Sequence, residues 1–334
     1  MNKIFHSALV AILSIYSTHV FAEGTTINYR LATADETRKL MQGNTEYYAK
    51  MNQMDIDWRV RKEGSTLAEL QTMAWQQTRD WTDAEREFMA TIVGMITDSL
   101  NSIGCQLPVP SEIVFAKTTQ AEEGGSGGYT IKNIIFLGEM SVQACLPDTV
   151  RTAQENQLLQ RWFAELVAHE LFHCVTRHSP VFRQKMYAQI GFTVMDHDIT
   201  FPDAISKRMI INPDVEHIDN YATFTINGEK RRCELIVLYE KSWAEASAEK
   251  GDQIVFFSFL KPVLVPLDDM SKVYDITEVS DFWDAVGLNT KYVIAPEECM
   301  ADNFSYAVIR GINPATPYNS PQLIQNIITA LKQL

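Results

Sequence analysis

The stretch His169-Glu170-Leu171-Phe172-His173 constrains this chain more than any other. On a helix, residues four apart lie on one face, one turn above the other. Two imidazoles so placed can reach a single tetrahedral metal ion. Glu170, next to the first histidine, is placed to take a proton from a metal-bound water. The pattern carries chemistry only inside a helix and only with a further ligand from elsewhere in the chain.

The helix is legible. A run from about Thr149 to Arg177 places Trp162, Leu166, His169 and His173 on one stripe, and Phe163 and Val167 widen its apolar face. The stripe therefore points the histidines inward. A lone inward histidine is commonly a satisfied core residue. Two of them one turn apart, with a glutamate between, do not fit that explanation.

A candidate third ligand lies in Pro296-Glu297-Glu298-Cys299-Met300-Ala301-Asp302. Proline near the first helical position and acids in the first turn mark a helix start. Glu298 and Asp302 are four apart on one face. That suits one carboxylate on the metal and the other accepting the free ring N–H of a ligand histidine, which fixes its tautomer. Glu297 competes for the ligand position. It ranks second because position 301 is alanine and offers no acidic partner four residues on.

With these residues in view, the chain resembles the gluzincin zinc metallopeptidases, the thermolysin-like arrangement of H-E-x-x-H with a downstream glutamate. The resemblance covers two helices and their spacing. It implies zinc as cofactor, His169, His173 and Glu298 as ligands, Glu170 as general base, Asp302 as the partner of His169, and a peptide or protein substrate. Glu298 lies 125 positions after His173, which implies a large insertion or a different intervening subdomain. The metzincin pattern fails, since it needs glycine at 176 and histidine at 179 where the chain has Thr176 and Ser179; His178 is one position off. Donors to a tetrahedral oxyanion besides zinc would come from among Tyr292, Tyr187, Tyr221, His197, His217 and Arg208. Two other readings stay open: a zinc-binding protein without turnover on the same scaffold, and a zinc hydrolase of non-peptide amides. Glu170 argues against the first, because a structural zinc site needs no base.

The chain has 334 residues, enough for one large domain or two modest ones. Asn2-Lys3, the apolar run Ala8–Tyr16 and Val20-Phe21-Ala22 read as a secretory signal peptide, residues 1–22, cut after Ala22. The mature protein is then expected in the periplasm or secreted, without a membrane anchor. The net charge is −13, which argues against nucleic acid and anionic membranes as partners. Export permits disulfides. Of the five cysteines, Cys105 and Cys145 are the expected pair. Cys174 and Cys299, each following a proposed ligand, either staple the two ligand helices or stay as buried thiols.

Residues 23–110 read as a helical N-terminal region, with capping boxes at Thr33–Glu36 and Thr82–Glu85. The first box opens a helix expected to run to about Met54, and 23–104 could also serve as a pro-segment. Residues 111–334 then form the metallopeptidase region, with a mixed insertion between the ligand helices. Ile113–Ala116 and Tyr129–Leu137 read as strands, separated by a glycine-rich connection at 122–128. By resemblance, the second strand pairs with an extended substrate. Tyr221–Ile226, Asn227-Gly228 and Cys233–Tyr239 read as a hairpin, and 253–267 as a further strand. The expected architecture is α+β and zincin-like, mainly helical with a small mixed sheet and two metal-bearing helices.

Overall fold

The computed structural model describes residues 24–251 and 254–334; the expected signal peptide lies outside the described residues. Local side-chain chemistry sets the helix starts. After β1 (Tyr29–Leu31), Thr33 and Glu36 form a reciprocal cap for α1 (Ala34–Gly43). The single helix expected to reach Met54 is in fact three. Asn44 ends α1, α2 (Thr45–Lys50) follows, and Asn52 with Asp55 caps α3 (Gln53–Val60). The Asn52 side chain accepts from the Asp55 backbone N–H and so starts a new helix, a break that apolar periodicity alone does not show. Next come α4 (Leu67–Trp75), β2 (Thr78–Arg79) and the long α5 (Asp83–Ile103), which Gly104 closes at φ +79°.

The expected strand at 113 is β3 (Ile113–Thr118). The single strand expected over Tyr129–Leu137 is instead a hairpin: β4 (Gly128–Ile131) turns through Lys132-Asn133 into β5 (Ile134–Gly138). Lys132 takes φ +60°, a conformation unusual for lysine and invisible to hydrophobic patterning. These strands form one sheet in the order β1-β3-β5-β4, with β2 paired at the end of β3. The β1–β3 and β3–β5 pairs are parallel, and β4–β5 is antiparallel. The N-terminal segment thus supplies two strands to the sheet that precedes the helix carrying His169 and His173.

α6 (Glu139–Cys145) leads to the central α7 (Ala153–His178), opened by a Thr152–Glu155 capping box. Then come α8 (Pro180–Tyr187), β6 (Thr193–Val194) and α9 (Asp203–Ser206). The hairpin β7 (Asn220–Ile226) and β8 (Glu229–Tyr239) turns at Asn227-Gly228 as the sequence indicates. α10 (Trp243–Lys250), β9 (Leu260–Pro266) and β10 (Tyr274–Asp275) follow. α11 (Phe282–Val286), α12 (Pro296–Ile309) and α13 (Pro321–Leu331) complete the chain. The second sheet runs β10-β9-β8-β7-β6, antiparallel throughout.

Strand alternation decides which faces meet. Ile113, Phe115, Ile135 and Leu137 from one sheet, and Phe224, Cys233 and Leu235 from the other, enter one core with α5, α7, α12 and α13. Val114, Ala116 and Phe136 face the other way, into a smaller cluster with Met41 and Ala74. The class is α+β. Among the described residues no helix is long and apolar enough to cross a membrane. All five cysteines are buried free thiols, so neither the Cys105–Cys145 pair nor the Cys174–Cys299 staple forms. Each thiol packs as a small hydrophobe.

The inward stripe of α7 needs one correction. Phe163 and Val167 are buried in the core, but Trp162 is 50% exposed. Trp162, Leu166 and His169 instead line an open cleft of about 570 Å³. The upper part of the stripe thus reaches a cavity, while His169 and His173 are both buried as the pattern indicates.

Candidate metal centre

α7 and α12 pack along each other and bring together the residues that the sequence singled out. His169, Glu170, His173, Glu297 and Glu298 are all buried. His169 Nε2 lies 3.0 Å from Glu298 Oε2, and His173 Nε2 lies 3.7 Å from the same oxygen. His173 Nε2 has no hydrogen-bond partner among the described residues. A tetrahedral zinc with ligand bonds of about 2.0–2.1 Å separates its ligand atoms by about 3.3 Å, and the two distances bracket that value. His169, His173 and Glu298 therefore form a donor set of the right kind and size for one such ion.

Each histidine is anchored through its other ring nitrogen. His169 Nδ1 meets Asp302 Oδ1 at 2.9 Å, and Asp302 in turn accepts from Thr290 Oγ1 at 2.5 Å. His173 Nδ1 meets Glu297 Oε1 at 3.0 Å. Glu297 also accepts from Thr176 Oγ1 at 2.6 Å and from the Tyr187 hydroxyl at 2.5 Å. Glu297, weighed in the sequence only as a rival ligand, sits outside the donor set as the second histidine's partner. Such partners fix the ring orientation and the tautomer that leaves Nε2 free to bind. Burial works against a charged His169, but the Asp302 and Glu298 carboxylates outweigh it and hold its pKa well above the usual range. Burial likewise opposes ionisation of Glu298, while His169 and His173 hold its carboxyl below the usual value.

Glu170 lies against the first sheet. Its Oε2 accepts from Thr130 Oγ1 on β4 at 2.7 Å. Its Oε1 faces Gly128, where a side chain would begin 2.7 Å from that oxygen. Glycine at 128 is therefore the space into which the carboxylate fits. Burial raises the pKa of Glu170, with His173 and His169 pulling the other way.

The loop before β7 closes one side. Asn212 Nδ2 donates to Glu298 Oε1 at 2.5 Å. Asp214 Oδ1 accepts the backbone N–H of Thr130 at 2.6 Å. Burial first, then the Glu170 and Glu298 carboxylates, push the Asp214 pKa well up. β4 is the edge of its sheet, but Thr130 N–H is already used, so an extended peptide along this edge has to displace Asp214 there. Sequence reasoning read Asn212-Pro213-Asp214 only as a turn; the paired polar side chains flanking proline were its one signal.

Of the expected oxyanion donors, Tyr292 and Tyr187 both line the cleft, and the Tyr292 ring lies 6.2 Å from that of His169. Tyr187 is bound to Glu297. His197 and His217 pair with Asp196 and Asp198, Arg208 bonds the Tyr239 carbonyl, and Tyr221 lies under Arg232. His178 is the exposed last residue of α7. Compared with family models, curated proteins and solved structures, the chain matches none of them.

Proposed function

We propose that this chain is an exported, zinc-dependent metallopeptidase with a zincin-like core, acting on peptide or protein substrates. The observation that carries the reading is the convergence of His169 Nε2, the unpartnered His173 Nε2 and Glu298 Oε2 beside Glu170, with His169, Glu170 and Glu298 lining an open cleft. A zinc ion held by these three residues supplies Lewis acidity and an acidified water.

The chain's own residues do the rest. Asp302 and Glu297 keep both imidazoles in one tautomer and orientation. Asn212 fixes the second oxygen of Glu298. Thr130 holds Glu170 by Oε2, which leaves Oε1 to accept the proton of an attacking water and return it to the leaving amine. Tyr292, whose ring lies beside His169, would be the donor to the oxyanion. The apolar lining of the cleft, including Leu166, Ile199, Ile218 and Leu235, suits peptide side chains better than a small polar solute.

The test is elemental analysis together with a peptide-library digest, on the wild type and on Glu170→Gln. About one zinc per chain in both proteins, with hydrolysis only in the wild type, is the expected result. A folded wild type that takes up no zinc when it is offered overturns the reading.

A further inference from the structure

The cleft that holds the donor set continues to the second sheet. There Asn220, at the start of β7, and Glu234, on β8, line it. Each is 2% exposed. Neither Glu234 Oε2 nor Asn220 Oδ1 has a hydrogen-bond partner among the described residues. Both atoms are acceptors, so the wall presents two unmet demands for a donor. Buried polar groups in native proteins are nearly always paired, and two like orphans on one cavity wall point to a ligand that pairs them.

The charges of the cleft favour a cation. Its positive lining residues already have partners. Lys50 bonds the Glu216 carbonyl, Arg59 is paired with Asp55 and Glu123, and Arg310 is paired with Glu165. Arg183, beside Glu234, makes two bonds to Asp219, of 2.8 and 2.5 Å, and stacks on Tyr187. Burial, and then Asp219, push the Glu234 pKa well above the usual range, with Arg183 and Asn220 opposing. An incoming cation would relieve that penalty on ionisation. Ile199, Ile218, Leu235 and Ile236 line the same cleft and can cover an alkyl stem while its charged head meets the carboxylate.

We propose that this corner of the cleft is a binding subsite for a lysine or arginine side chain of the substrate, with Glu234 Oε2 and Asn220 Oδ1 accepting from its head group. The substrate class rests on the peptidase reading above; the recognition chemistry does not.

Calorimetric titration of the full chain, metal-free and zinc-loaded, with lysine amide, arginine amide and the uncharged norleucine amide reads the subsite directly. The cationic amides should bind at least tenfold more tightly than norleucine amide. Folded Glu234→Gln should lose that preference, and Asn220→Ser should reduce it in the same direction. In a peptide digest, the ratio of cleavage at lysine-containing over norleucine-containing peptides should fall at least tenfold in Glu234→Gln. Equal binding of lysine amide and norleucine amide by the wild type overturns the proposal, as does an unchanged preference in both folded variants. Cation-selective binding with zinc present but no hydrolysis would sink the peptidase reading and support the subsite. Hydrolysis without cation preference would sink the subsite alone.

Discussion

Glu297 offers the sharpest test of how the site is held. Its carboxylate meets His173 Nδ1 at 3.0 Å, Thr176 Oγ1 at 2.6 Å and the Tyr187 hydroxyl at 2.5 Å, in a buried setting. Glu297→Gln keeps the shape but leaves one oxygen where there were two. Its NH2 group then faces a donor, and one buried bond is lost. The outer partner of a metal-bound histidine typically contributes 10–100-fold in metal affinity, or about 1.4–2.7 kcal/mol. An unsatisfied buried donor adds about 1–3 kcal/mol of lost fold stability. The two effects separate experimentally. Competition with a zinc chelator at a temperature where the variant is fully folded reads the first, and thermal melting of the zinc-free protein reads the second. Glu298→Gln, at the donor set itself, should bind zinc more weakly than Glu297→Gln. Zinc affinity within twofold of wild type in folded Glu297→Gln would refute the argument that His173 is oriented through its Nδ1. Weaker binding in Glu297→Gln than in Glu298→Gln would show that the two glutamates have been assigned the wrong way round.

Other parts of the structure give independent outcomes. Gly128→Ala puts a methyl group 2.7 Å from Glu170 Oε1, so peptide hydrolysis should fall at least tenfold while zinc content, measured by elemental analysis, is kept. Glu122 is buried with its pKa raised to about 7, chiefly by burial. The folded state therefore keeps a proton that the unfolded state loses above pH ~4.5, and stability falls as pH rises through that window. Glu122→Gln should accordingly raise the melting temperature at pH 8, by up to about 3 kcal/mol of stability, and leave it nearly unchanged at pH 4.5; an equal gain at both pH values would rule this linkage out. Lys117 and Glu85 form a buried pair at 2.6 Å, each side chain 2% exposed. Lys117→Met strands a buried carboxylate and should cost about 3–5 kcal/mol in denaturant unfolding, with the Glu85→Leu/Lys117→Met pair costing less. Thiol titration of the unfolded, unreduced protein should find all five cysteines free; three or fewer would mean that a disulfide forms.

What was legible in the sequence follows the range of the interactions. The capping boxes at Thr33 and Thr82 are three-residue events, and both appear in the structure. The spacing of His169, His173, Glu298 and Asp302 is likewise local to two helices, and the structure brings these four side chains together. The contacts that complete the site are not local. Asp214 reaches Thr130 across 84 residues, and Asn212 reaches Glu298 across 86. No periodicity records which loop closes over which strand. The hairpin at Lys132-Asn133 was missed for the opposite reason: YTIKNIIFL is apolar and β-prone on both sides of a turn that carries no glycine.

Glu297 shows where a local rule stopped short. Searching for an acid four residues on separates Glu298, which has Asp302, from Glu297, which faces Ala301. The rule asks which carboxylate has a partner on its own helix. A site with two histidines sets a further demand, because each ring has a second nitrogen and each of those needs its own acceptor. Successive residues on a helix point about 100° apart, so Glu297 and Glu298 cannot both reach the space between the Nε2 atoms. When α12 lies along α7 with Glu298 in that space, Glu297 is swung toward the far side of His173, where Thr176 and Tyr187 also converge. Asp302, one turn further along α12, does the same for His169. The adjacent Glu-Glu pair and the later aspartate thus make one device: a carboxylate between the rings and an acceptor behind each.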